Sequence, residues 1–199
     1  LWYLEVMAEP HTFPPVKLVC GIISSSDRVL AAAESRLQEA FGPIDSRSRP
    51  YDFNWTSYYE PEMGPGLTRM FLSFERLVRP EGLAAVKLRT NGLEEDLRRS
   101  FDSPGRVANL DPGHLNSAAL IMATAKPFSH RVPLSSGIYA HLELLFTRKE
   151  VRTLPWTYPD LRSGAAWEFF REVRIVYLAQ LGPARRRGEE EGEKEDPGG

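Results

Sequence analysis

The chain has 199 residues, 42% of them apolar and 26% charged, with a net charge of -2; that suits one compact domain with an ordinary core. Removing the four basic and six acidic residues of the segment 183–199 from the totals of 25 and 27 leaves 21 of each in the body. A neutral body gives no bulk attraction to nucleic acid, the single cysteine forbids an internal disulfide or thiolate cluster, and no apolar run reaches the ~20 residues of a membrane span.

Residues 1–14 read as an N-terminal extension, partly disordered, with Met7 a more natural start than Leu1. The body, 15–182, opens with Val16–Ser24, a nearly continuous apolar run that predicts a strand buried on both faces. Cys20 within it reads as a small hydrophobe. Ser24-Ser25-Ser26-Asp27 offers caps for a helix whose stripe is Val29, Leu30, Ala33, Leu37 and Phe41, stopped by Gly42-Pro43.

Tyr51, Phe53 and Trp55 alternate with polar residues as a half-buried strand, and the turn-rich Glu60–Gly66 leads to a hairpin partner carrying Met70, Leu72 and Phe74. Leu83, Val86, Leu93 and Leu97 mark a second helix after Pro80. Asn109-Leu110-Asp111-Pro112-Gly113-His114 reads as a polar turn, because Asp bonds its own backbone and Gly admits positive φ. Ala118–Lys126 is a strand. In Ile138–Phe146, Ile138, Ala140, Leu142, Leu144 and Phe146 form one apolar face, with Tyr139, His141 and Glu143 opposite. Trp167, Phe170, Val173, Val176 and Tyr177 mark a closing helix ended by Gly182-Pro183, and 183–199 is a charged, disordered tail. The order predicts a single α+β domain: a mixed sheet with a ferredoxin-like βαββαβ opening, added strands and a C-terminal helix.

Several separated phrases resemble one family. They are Pro15-Val16-Lys17-Leu18, Tyr58-Tyr59-Glu60-Pro61-Glu62-Met63-Gly64, Ser73-Phe74-Glu75, Lys87 with Thr90-Asn91 and Glu94, Asn109-Leu110-Asp111-Pro112-Gly113, Thr124-Ala125-Lys126, His130-Arg131, and Pro155-Trp156-Thr157-Tyr158-Pro159-Asp160. Together they are similar to the bacterial and archaeal family called Domain of Unknown Function 4416, over Pro15 to Leu181. The resemblance implies no established activity, although members sometimes carry a GTP-binding label. His114 departs from the aromatic residue expected after Pro-Gly.

No phosphate loop of the form G-x-x-x-x-G-K-[ST] is present, and no Gly-rich dinucleotide fingerprint follows the first strand. Gly21 with Ser24-Ser25-Ser26 at a helix start suits an anion, or simply caps the helix. Asn109 and Asp111 suit ribose or Mg²⁺ recognition, or only a turn, with Glu143 or Glu75 as a second carboxylate. Lys126, His130 and Arg131 bracket a Pro-containing turn and suit an anion, or form a plain basic loop. Lys87, Asn91 and Glu94 share one helix face, either a solvated face or part of a site.

The reading favoured is a cytoplasmic protein that binds a small anionic or phosphorylated ligand, such as GTP with Mg²⁺, at one end of its sheet. Asn109, Asp111, Lys126, His130, Arg131, Lys87 and Asn91 are the ligand candidates. In an enzyme His130 or Glu143 would carry the proton. The alternative is a non-enzymatic adaptor that binds a partner protein through Trp55, Tyr58, Tyr59 and Trp156.

Overall fold

A computed structural model describes residues 11–192, with side chains described through residue 182. The run Val16–Ser24 forms β1, buried at every position. A strand with no exposed position must be covered on both faces. On one face lie α1 (Asp27–Phe41) and α3 (Leu83–Ser100), whose Val29, Leu30, Ala33, Leu37, Leu93 and Leu97 pack on Leu18, Cys20 and Ile22. On the other lies α4 (Gly164–Gly192), with Phe169, Phe170, Val173 and Tyr177 packed on Val19 and Phe71. Gly182, at φ 74 and ψ 168, interrupts α4, where the sequence places the helix stop. Of the expected extension 1–14, residues 1–10 lie outside the described residues, as do 193–199 of the expected tail 183–199, while the backbone of 183–192 is the end of α4.

The remaining elements are β2 (Ile44–Arg47), β3 (Tyr51–Asp52), the single turn α2 (Glu60–Met63), β4 (Thr68–Val78), β5 (Asn109–Leu115), β6 (Ala119–Thr124), β7 (Val132–Pro133), β8 (Tyr139–Phe146) and β9 (Val151–Thr153). They form one sheet in the order β2-β4-β1-β5-β6-β8-β7, with β3 on β4 and β9 on β8. The domain is α+β, and every described pairing is antiparallel, not mixed.

Two sequence expectations change here. The strand expected around Tyr51–Trp55 shrinks to β3, because Phe53, Trp55, Tyr58 and Tyr59 pack ring edge to ring and draw the chain off the sheet. The place beside β4 goes to β2, whose pattern was too short and polar to read. In β8, Leu120 faces Leu144 and Ile121 faces Leu142, which leaves Glu143 as the extra residue of a bulge. The bulge divides the expected apolar face: Ile138 packs with Leu83, Ala84 and Ala123, while Leu144 and Phe146 join the α4 core.

Candidate functional site

The Asn109–His114 segment is a strand, and Pro112 explains both its misleading sequence and its use. β5 pairs with β1 from Lys17↔Leu115 to Ile23↔Asn109. It pairs with β6 only at Leu115↔Leu120, His114↔Ile121 and Gly113↔Met122. Ladder alternation turns the peptide groups of Leu110, Pro112 and His114 toward β6. Proline has no N–H to offer, so the ladder stops there, and β6 follows β8 alone to Thr124. The sheet forks.

Helix α3 answers the backbone exposed in the fork. Glu94 Oε1 accepts the Leu110 N–H at 2.7 Å, and Lys87 Nζ donates to the Leu110 carbonyl at 2.7 Å. Lys87, Asn91 and Glu94 are therefore not a solvated face; Lys87 is buried. A cavity of about 600 Å³ opens at the fork. Lys87, Asn91 and Glu94 line it from α3, and Asn109 and Asp111 from β5. Lys126 stands just past the end of β6, and Phe53, Trp55, Tyr58 and Tyr59 form an aromatic wall.

The charged centre is a residue that sequence reasoning missed. Arg69 of β4 is buried, with Nη1 2.7 Å from Asp111 Oδ2, Nε 3.4 Å from Asp160 Oδ2, and its guanidinium 4.5 Å from the Phe71 ring centre. It reaches Asp111 across Gly21, where a Cβ would lie 2.5 Å from Nη2. Burial opposes the Arg69 charge, but Asp160 and Asp111 outweigh it and push its pKa up. Asp111 is also disfavoured by burial, yet Arg69 and Lys87 hold it below the usual carboxylate range. At Asp160 burial outweighs Arg69, and the pKa rises. Asp111 is thus the tight partner and Asp160 the looser one. Burial lifts Glu94 to about 7, against Lys87 and the Leu110 N–H.

Two buried donors in this cavity are left over. Asn109 is 5% exposed, and its Oδ1 accepts from Arg106 Nη1 at 3.0 Å, while Nδ2 stands beside the Asp111 carboxylate, which it helps to hold ionised, without a well-aligned hydrogen bond. Arg69 Nε is ion-paired with Asp160 at 3.4 Å but makes no hydrogen bond to it. Lys126 is exposed, with Nζ 3.9 Å from the Tyr58 ring centre.

The other sequence candidates lie elsewhere. Arg131 is pinned by the Lys126 carbonyl at 2.6 Å and the Tyr158 hydroxyl at 2.8 Å. His130 stacks on Trp156, with ring centres 5.1 Å apart, in a separate shallow depression beside Phe128. His141 and Glu143, read as a solvent-facing strand surface, are both buried, with Thr157 and Tyr158 packed against them. Glu143 Oε2 accepts the Tyr158 N–H at 2.8 Å, and its Oε1 lies 2.6 Å from His141 Nδ1, out of line for a hydrogen bond. Neither lines the fork. The serines after β1 are spent within the fold: Ser24 Oγ donates to the Val107 carbonyl at 2.8 Å, Ser25 Oγ donates to the Met63 carbonyl, and Ser26 makes no capping bond. Trp55, Tyr58 and Trp156 are exposed, but Trp156 lies in the His130 depression, apart from the cavity wall. Among the described residues no three His, Cys, Asp or Glu side chains could together hold a metal ion. No described helix is long and apolar enough to cross a membrane.

Arg69 left one trace in the sequence, a cation alternating with Phe71 and Ser73 in a strand whose other face is Met70, Leu72 and Phe74. Asp160 stood in the phrase Pro155–Asp160 without being read as a site residue, and Arg106 left no trace. A family model described as "Domain of unknown function (DUF4416)" matches residues 14–177. No curated protein and no solved structure matches the chain.

Proposed function

The chain belongs to the DUF4416 family, whose description assigns no activity, and we propose from its site that it binds a small anion carrying a planar ring in the fork of the sheet. The observation that carries this reading is the pair of buried donors without a well-aligned hydrogen bond, Asn109 Nδ2 and Arg69 Nε, lining one cavity with Lys87 and Lys126. Buried polar groups are nearly always hydrogen-bonded, so an acceptor oxygen of a ligand is the natural partner. The cavity size lies within the range of small-molecule sites, and Trp55, Tyr58 and Tyr59 supply flat apolar surface for a ring. Nucleotides, GTP among them, belong to this class. The protein acts in a reducing cytoplasm, where its single buried Cys20 stays a thiol.

A thermal-shift screen with nucleosides, nucleotides and inorganic phosphate, each with and without Mg²⁺, tests the reading. A ligand present at a hundred times its Kd raises stability by about 2.7 kcal/mol, and Lys126→Ala removes that gain. No shift with any member of the panel would overturn it. The adaptor alternative draws on the exposure of Trp55 and Tyr58; capture of a partner that Trp55→Ala abolishes, with no small-molecule binding, would favour it instead.

A further inference from the structure

Resting on that reading, we infer that the fork takes a ligand with a single phosphate group, a ring-bearing monophosphate, and not a nucleoside triphosphate. The argument is a charge inventory. Four cations line the cavity, Arg69, Lys87, Arg106 and Lys126, against three carboxylates, Glu94, Asp111 and Asp160.

Two of the cations are already committed. Arg69 lies between Asp111 and Asp160, at 2.7 and 3.4 Å. Arg106 lies between Glu62 and Glu94, at 2.9 and 4.0 Å. Lys87 gives one of its three N–H donors to the Leu110 carbonyl and keeps two. Among the described residues Lys126 has no carboxylate partner, only the Tyr58 ring beneath it.

Lys126 and the free donors of Lys87, whose charge is shared with Asp111 and Glu94, suffice for one phosphate with its charge of about two. A triphosphate would bring roughly twice that charge into a partly desolvated space that also holds three carboxylates, and a buried charge without a partner is strongly disfavoured. The donors agree in number. Asn109 Nδ2, the two free Lys87 hydrogens and the Lys126 ammonium can answer the oxygens of one phosphate. Register places Lys126 nearly opposite Asn109 across the fork: Gly113 faces Met122, so Asp111 points toward Thr124 and Asn109 toward Lys126. A phosphate held between them leaves its ring toward Trp55 and Tyr59.

Calorimetric titration of the full chain with guanosine and adenosine and their mono-, di- and triphosphates, with and without Mg²⁺, decides the matter. A monophosphate is expected to bind at least tenfold more tightly than the triphosphate of the same base, whether or not Mg²⁺ is present. Glu94→Gln, which keeps the acceptor for Leu110 but removes a carboxylate charge, should narrow that ratio several-fold. A triphosphate that binds as tightly, or binding that appears only with Mg²⁺, overturns the inference while leaving the ring-bearing anion reading intact. Binding by no member of the series, or binding that Asn109→Ala leaves unchanged, overturns both.

Discussion

Lys17 and Arg69 are both cations buried on the α4 face of the sheet, near opposite ends of β1, and they are treated differently. Lys17 Nζ is held by Asp45 and by Gln180 Oε1 at 2.9 Å, and the other Asp45 oxygen accepts Ser73 Oγ at 2.6 Å. At the Arg69 end, Nε and the neighbouring Asn109 Nδ2 make no well-aligned hydrogen bond, and a cavity lies beside them. Burial of a charge therefore does not mark a site by itself. Donors left over beside open space do.

Removing either cation should cost the most and should not separate the two ends. Lys17→Ala strands Asp45, and Arg69→Ala strands Asp111 and Asp160, so each loses about 3–5 kcal/mol in chemical denaturation. Equal losses would show that the two ends differ only in what surrounds the cation.

The pH response comes next, and two residues give opposite signs. Burial pushes His114 down to about 4 from 6.5. The unfolded chain takes up that proton first, so stability is full above pH 6.5 and falls on the order of 3 kcal/mol as pH drops through 4. Glu94, raised from 4.5 to about 7, is protonated first in the folded state. Its contribution is full below pH 4.5 and is lost as pH rises through 7, on a similar scale of about 3 kcal/mol. Denaturation midpoints across pH 4–8 should show His114→Leu removing the acid loss and Glu94→Gln removing the opposing trend.

The finest comparison uses one polar group from each end. Ser73→Ala should cost about 1 kcal/mol, because the hydroxyl completes the Lys17–Asp45 cluster. Asn109→Leu should cost about as much, through the lost Arg106 bond to Oδ1, and should in addition abolish ligand binding. If Ser73→Ala also abolishes ligand binding, or Asn109→Leu leaves it intact, the contrast between the ends fails.

Much of the scaffold was legible in the sequence, because β1, α1 and α3 show patterns carried by residues near one another in the chain. The fork was not. Asp111-Pro112-Gly113 has the composition of a turn, and only the pairing of β5 with β1 on one side and β6 on the other turns Pro112 into a break in a ladder. Asn109, Asp111, Lys126, Lys87 and Asn91 were singled out from their phrases, and all line the cavity. His130 and Arg131 sat in equally suggestive phrases, but Trp156 and Tyr158, about 26 residues further on, hold them elsewhere. Arg69 escaped notice because it reaches Asp111, two strands away, over the missing side chain of Gly21, which faces Asp111 on the strand between them. Such a relation across strands has no signature in local spacing.

The most direct test follows the side-chain amide of Asn109 by ¹H–¹⁵N NMR during titration with guanosine monophosphate. The account predicts that the Asn109 Nδ2 resonances move and become protected from exchange at saturation. Those of Asn116, whose Oδ1 is occupied by the Ala118 and Ala119 N–H groups, should stay in place. An Asn109 amide that does not respond to a ligand bound elsewhere on the protein would contradict the assignment of the fork as the site.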